Sequence, residues 1–284
     1  MRSERLRPSR FSVVAVLLLA LAIPSRSAHA YHDPSAPPID DTAYTLRGGE
    51  FQLGLLKQHF GVHRRVQLST IFAGYVVGAF SSLFLPNAGV KVRPFELGDV
   101  TFSVQAGFAY ARFRPTSPRE GTRADLMVLP MGLDVSWRPS FEWLASWDVT
   151  YVLVHSLAGA SDLGTTDDLE GAASISNLSV GTNLLFFTGR VLAIGVKGRL
   201  LLFQSPVTVQ SEQQVDEFTT VDVDGNVEVV NASWAWQLVP SVFLSIGPFN
   251  LRAGLGYGSV FVQQVGLVFP QRTIVPELEA SFRF

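Results

Sequence analysis

In the stretch VTFSVQAGFAYA, residues 100–111, Val100, Phe102, Val104, Ala106, Phe108 and Tyr110 alternate with Thr101, Ser103, Gln105, Gly107, Ala109 and Ala111. Successive side chains of a strand point to opposite faces, so a strand here is large and apolar on one side, small and polar on the other. The same texture fills WAWQLVPSVFLSI, where Trp234, Trp236, Leu238, Pro240 and Val242 oppose Ala235, Gln237, Ser241 and Ser245. LRAGLGYGSVF follows it after only GPFN, which makes the two a hairpin. Weaker versions run through 50–60, 65–72, 88–93, 125–138, 145–157, 174–187 and 190–203. A soluble sandwich also alternates, but an inner face of Gly, Ala, Ser, Thr and charge would leave its core almost empty, whereas a barrel lumen accepts it.

The connectors support a barrel. Short ones (95–98, 139–142, 188–190, 247–250) fall between long polar ones (113–124, 158–173, 205–231, 264–273), the asymmetry of a transmembrane barrel with short periplasmic turns. Aromatic girdles are assigned to Trp137, Trp143, Trp147, Trp234, Trp236 and Tyr257, the first three on the short-turn side. The 24 glycines and 21 phenylalanines suit strands and turns better than helices.

Residues 1–30 read as a cleaved signal peptide: Arg2, Arg5, Arg7 and Arg10 precede a 13-residue apolar run from Phe11 to Ile23, and Ala28-His29-Ala30 forms the cleavage site. Cleavage removes five Arg and one Glu from 22 basic and 24 acidic residues, leaving 17 against 23, a balance that makes nucleic acid an unsuitable partner. With no cysteine, disulfides, thiolate metal sites and a cysteine nucleophile are excluded. Residues 31–49 form a Pro/Asp-rich periplasmic lead-in without an apolar period, and 50–284 form the barrel.

The final segment, PELEASFRF, alternates to its last residue, with Leu278, Ala280, Phe282 and Phe284 on one face. It resembles the C-terminal strand of Gram-negative outer-membrane β-barrel proteins, in which alternate apolar residues end on Phe and are read by the barrel-assembly machinery. The resemblance implies an outer-membrane location, lipid around the barrel, and that machinery as a partner. The fold expected is therefore an all-β, antiparallel up-and-down transmembrane barrel of about 12 strands (10–12).

Eleven strands are visible, and bacterial single-chain barrels have even numbers. The twelfth is expected inside IFAGYVVGAFSSLFL, residues 71–85, from two strands meeting near Ala73-Gly74; a short amphipathic helix or lumen loop is the alternative.

Alternation turns Lys91, Arg93, Asp134, Asp148, Lys197, Arg199, Arg252, Glu277, Glu279 and Arg283 into the lumen, since a Lys or Arg facing lipid at mid-depth costs about 2–4 kcal/mol. These groups either pair and fill the lumen or line a solute path. No catalytic pair is found. His155 and Ser156 point to opposite faces of a strand, and His59 and His63 flank a polar turn with Arg64 and Arg65. VDVDGNVEV faintly resembles a calcium loop, but position 231 is Asn, so a hairpin turning at Asp224-Gly225, with Thr219–Asp222 against Val227–Val230, is preferred. The function expected is passive passage or facilitated uptake of small polar solutes, without enzyme activity, cofactor or metal. The alternative is a closed barrel that binds a partner through its long loops, and an outer-membrane lipid hydrolase ranks third.

Overall fold

The computed structural model describes residues 37–71, 86–113, 123–160, 169–205, 207–216, 219–227, 235–262 and 267–284. Residues 1–36, Trp234 and the apolar stretch 72–85 lie outside the described residues.

Among the described residues there are only strands: β1 (Phe51–Gly54), β2 (Lys57–His63), β3 (Val66–Ile71), β4 (Asn87–Leu97), β5 (Val100–Phe113), β6 (Arg123–Trp137) and β7 (Trp143–Ala160). They continue as β8 (Leu169–Phe187), β9 (Leu192–Gln204), β10 (Val207–Asp216), β11 (Thr219–Val227), β12 (Trp236–Ile246), β13 (Phe249–Val262) and β14 (Leu267–Arg283). Strands β1 to β9 pair antiparallel in sequence, β9 pairs with β12, and β12, β13 and β14 follow before β14 meets β1. The result is a closed ring of 12 strands.

The count is 12, but the extra strand is not where the sequence placed it. Segment 50–60 is two strands, β1 and β2, that turn at Leu55-Leu56. The physical reason is a change of phase. Leu53 shares the outer face of β1 with exposed Leu55, while the exposed residues of β2 are Phe60 and Val62, so the outward parity switches from odd to even across the turn.

The short turns carry the residues their geometry needs. Gly98, between β4 and β5, and Gly247, between β12 and β13, have φ of +59° and +57°, a conformation open to glycine at little cost.

Outside the ring, Leu133, Val149, Leu184, Ile194, Val242, Leu255 and Leu278 are between 42% and 63% exposed. An apolar surface that runs round the whole ring suits hydrocarbon, not water. Trp137, Trp143 and Trp147 are exposed at its short-turn border, and Trp236 packs edge-on against Tyr257, 6.2 Å between centroids, towards the other.

The closure between β1 and β14 is short, with Gln52 opposite Arg283 and Gly54 opposite Ser281. Phe284 completes it by exchanging both backbone hydrogen bonds with Phe51, at 2.8 and 3.0 Å. Phe282 stacks on Phe284 at 6.3 Å, so the terminal aromatics of β14 also border this seam. Above Ala280, which accepts the Leu55 N–H, β14 has no partner on this side among the described residues. Pro276 has the same parity as Ala280 and therefore turns its missing N–H to that edge, where a proline leaves no ladder bond unmade.

Strands β10 and β11 form a hairpin outside the ring, paired to the outer part of β8 from Ser174 to Leu169. Its tip lies between Asp216 and Thr219, and Asp224-Gly225 sits within β11 opposite Gln210 and Val209, so the turn expected at Asp-Gly is corrected. The ladder explains this: a longer register, from Val207 opposite Val227 onward, outweighs the local preference of Asp-Gly for a turn. Deleting residues 207–227 is expected to leave the barrel folded, because β8 keeps β7 and β9 as wall neighbours. Retained heat-modifiable migration in gel electrophoresis would show this, and its loss would make the hairpin part of the wall.

Candidate functional site in the barrel lumen

The inner face carries what alternation assigned to it. Thr101, Ser103, Ser136, Ser146, Ser241 and Ser245 are buried inward and keep the lumen wide enough to receive another segment of chain. That segment is residues 37–46, read from sequence as a lead-in at the periplasmic mouth. Within it Ile39, Thr42, Ala43 and Leu46 are at most 1% exposed, so it is a plug inside the ring.

Polar contacts hold the plug from all sides. Lys91 Nζ donates to the carbonyls of Ile39 and Thr42 at 3.2 and 2.8 Å, and the Ala43 N–H donates to Ser136 Oγ at 2.8 Å. Arg283 donates to the Pro37 carbonyl at 3.1 Å and to Glu50 at 2.8 Å. Tyr44 packs with Leu144, Leu185, Phe187, Ala193 and Phe243, an apolar floor at the short-turn end.

The Asp40-Asp41 pair is the centre of the contact. Asp41 Oδ2 receives Lys197 Nζ at 2.8 Å and Arg252 Nη1 at 2.9 Å. Burial pushes the Asp41 carboxyl up, but Lys197 and Arg252 outweigh it and hold the group well below the usual carboxylate range. Asp40 accepts from Gln52 Nε2 at 2.9 Å and lies 3.0 Å from His59 Nε2.

His59 was read as flanking a solvated turn; it is buried on β2, and its tautomer follows from the network. The Leu46 N–H donates to Gln67 Oε1 at 2.9 Å, which turns Gln67 Nε2 towards His59 Nδ1 at 2.9 Å. Nδ1 is thus the acceptor, and Nε2–H donates to Asp40. Both ring nitrogens are engaged, which leaves the imidazole no free nitrogen to act as a base.

The predicted lumen residues fall into four groups. Lys197, Arg252 and Glu277 form one cluster with Asp41, Glu277 lying 3.4 Å from Lys197 and 3.2 Å from Arg252. Glu279 faces the same cluster, with Asp40 and Lys57 as electrostatic neighbours. Asp134 accepts from Ser103 and Gln105 and sits 3.8 Å from Lys91. Asp148 takes both oxygens to Arg199 Nη2 at 2.9 and 2.8 Å across β8, where Gly181 is opposite each of them; a Cβ there would lie 2.0 Å from Asp148. Arg93 and Arg283 belong to the short-turn rim, Arg93 pairing with Glu96 at 2.6 Å. Sequence reasoning missed Asp40, Asp41, Gln52, Lys57, His59 and Gln67. On the long-loop side of the plug a cavity of about 150 Å³ remains, lined in part by Asp41, Lys57, Lys91, Asp148 and Arg199.

No protein-family model matches the chain, and no curated protein matches it. Among solved structures it is similar to CdiB from Acinetobacter baumannii, at 11% identity and a TM-score of 0.32, over 84% of this chain and 60% of that one. It is also similar to the Pseudomonas putida toluene transporter TodX, at 6% identity and a TM-score of 0.31, over 82% of this chain and 77% of that one. The chain spans 60% of the length of the CdiB chain. Similarity at this level says nothing of solute or partner, so function is read from the lumen.

Proposed function

We propose that this chain is an outer-membrane channel for small polar solutes whose resting state is closed by its own residues 37–46. The observation that carries this reading is the plug itself. A barrel that served only as a structural wall could fill its lumen with side chains from the strands. Here the lumen instead receives a separate segment, attached through hydrogen bonds and ion pairs that water and solute can replace. The outer apolar belt and the C-terminal Phe strand support the location in the outer membrane. Strands β7 and β8, at 18 and 19 residues, exceed the roughly 9–11 needed to cross, so their outer ends extend beyond the bilayer.

The Ala43 N–H donates to Ser136 Oγ at 2.8 Å, which makes the two residues direct neighbours across the contact of plug and wall, and the natural chain has no cysteine to compete with a pair introduced there. Oxidised Ala43→Cys/Ser136→Cys protein in a planar bilayer should be silent under applied voltage, and reductant should restore openings. Equal current in both states would mean that the plug is not the gate. Silence in both would favour a closed barrel acting through its loops.

A further inference from the structure

We infer that the place held by the Asp41 carboxylate is a binding site for a small monocarboxylate solute, which the plug fills with its own side chain in the closed state. The inference rests on the reading of the barrel as a plug-gated pore and names the class of solute.

The site is built by the wall, not by the plug. Lys197 from β9 and Arg252 from β13 converge on a single oxygen, Oδ2, at 2.8 and 2.9 Å. Lys57 from β2 adds a third charge beside both aspartates. Arg252 is only 4% exposed in its side chain and lies over the Phe243 ring, with Cζ 4.6 Å from its centroid, which restricts the directions of its donors. Its Nη2 makes no hydrogen bond among the described residues. A guanidinium presents a fork suited to two carboxylate oxygens, and a tethered aspartate that satisfies only one prong leaves a buried donor for a freer ligand to meet.

Charge sets the class more narrowly. Without Asp40 and Asp41, the cluster contains Lys57, Lys197, Arg199 and Arg252 against Asp148, Glu277 and Glu279, four cations to three carboxylates. One monoanion in the place of the Asp41 carboxylate restores neutrality. The cavity on the long-loop side brings a solute to Lys57 and Arg199 at the border of the site. A carboxylate that binds the undocked state and not the docked one must shift the plug outward, so the solute would open its own path.

Hydrogen exchange on the unmodified, refolded protein tests this without relying on current. The Ala43 and Leu46 amides, bonded to Ser136 and Gln67, report plug docking. At an acetate concentration ten times its Kd the undocked population rises about elevenfold, so both amides should exchange about tenfold faster than in sodium chloride of equal ionic strength. Exchange that is the same in the two salts overturns the site. Inorganic phosphate at neutral pH should act far more weakly, and equal acceleration by phosphate overturns the monocarboxylate class. Calorimetry provides a second reading: Asp41→Asn protein should bind acetate saturably, and adding Arg252→Gln should weaken binding by at least about tenfold. Folded Asp41→Asn protein without acetate binding would also overturn the site. Acetate-dependent exchange in a protein that never conducts would keep the site and remove the pore.

Discussion

Replacing Asp40 and Asp41 together by Asn is expected to turn a barrel that is closed most of the time into one that is open most of the time. The two carboxylates meet Lys197, Arg252 and His59 inside the lumen, where Asp41 is 13% exposed, Lys197 16% and Arg252 4% in their side chains. Removing one partner of a buried ion pair costs about 3–5 kcal/mol, chiefly because the other charge is left without solvent or counter-charge. Here the stranded cations have a way out. If the plug leaves, water reaches Lys197 and Arg252, so the cost falls on the docked state alone. A change of that size multiplies the undocked-to-docked ratio by roughly 10²–10⁴. Glu277, within 3.4 Å of both cations, retains part of the pairing, which places the effect nearer the lower figure. The current should favour anions, because four cations then face three carboxylates across the lumen. Single-channel recording checks both statements, with folding established by heat-modifiable migration. A folded double variant that stays silent would show that these ion pairs do not hold the gate.

The wall of this barrel was legible because its rule is local. Val104 and Phe108 face out and Thr101 and Ser103 face in, as the two-residue period requires, and a charge such as Lys197 or Asp134 has only the lumen to turn to. The split of β1 from β2 was legible in principle as the parity change at Leu55-Leu56, which a count of alternating segments passes over. What joins across the lumen was not legible. Asp148 reaches Arg199 because three strands come into register and the middle one offers Gly181, and no part of that is visible before register is known. The plug lay furthest from view. Asp41 finds Lys197 and Arg252 at sequence separations of 156 and 211 residues, and a short Pro/Asp-rich stretch with no apolar period is locally the same whether it is solvated or buried. Its burial is determined by charges on β9 and β13, not by its own pattern.

Gly61→Ala should open the same gate by sterics while leaving every lumen charge in place. Gly61 lies on the inner face of β2, where the chain leaves the plug: its N–H donates to Glu50 O at 2.9 Å, and its carbonyl accepts the Gly49 N–H at 2.7 Å. A Cβ at this position would lie 1.9 Å from the Arg47 carbonyl oxygen and 2.8 Å from its carbon, with Leu46 Cβ at 3.0 Å. The first two are backbone atoms, so no rotamer change relieves the overlap, and Leu46 and Arg47 must move away from the wall. Leu46 is the residue whose N–H orients Gln67, and through Gln67 the His59 ring that donates to Asp40, so one added methyl disturbs the plug at both its exit and its charged centre. Gly189, in a short turn with nothing within 4 Å of the same position, provides the control: Gly189→Ala should conduct like the unmodified protein. The displaced segment keeps Asp40 and Asp41 near the pore, so Gly61→Ala should open the barrel with weaker anion preference than the aspartate double variant. Combining the two should add little to open probability, since a plug already released cannot be released again, whereas independent additive effects would mean that the glycine acts on the wall and not on the plug.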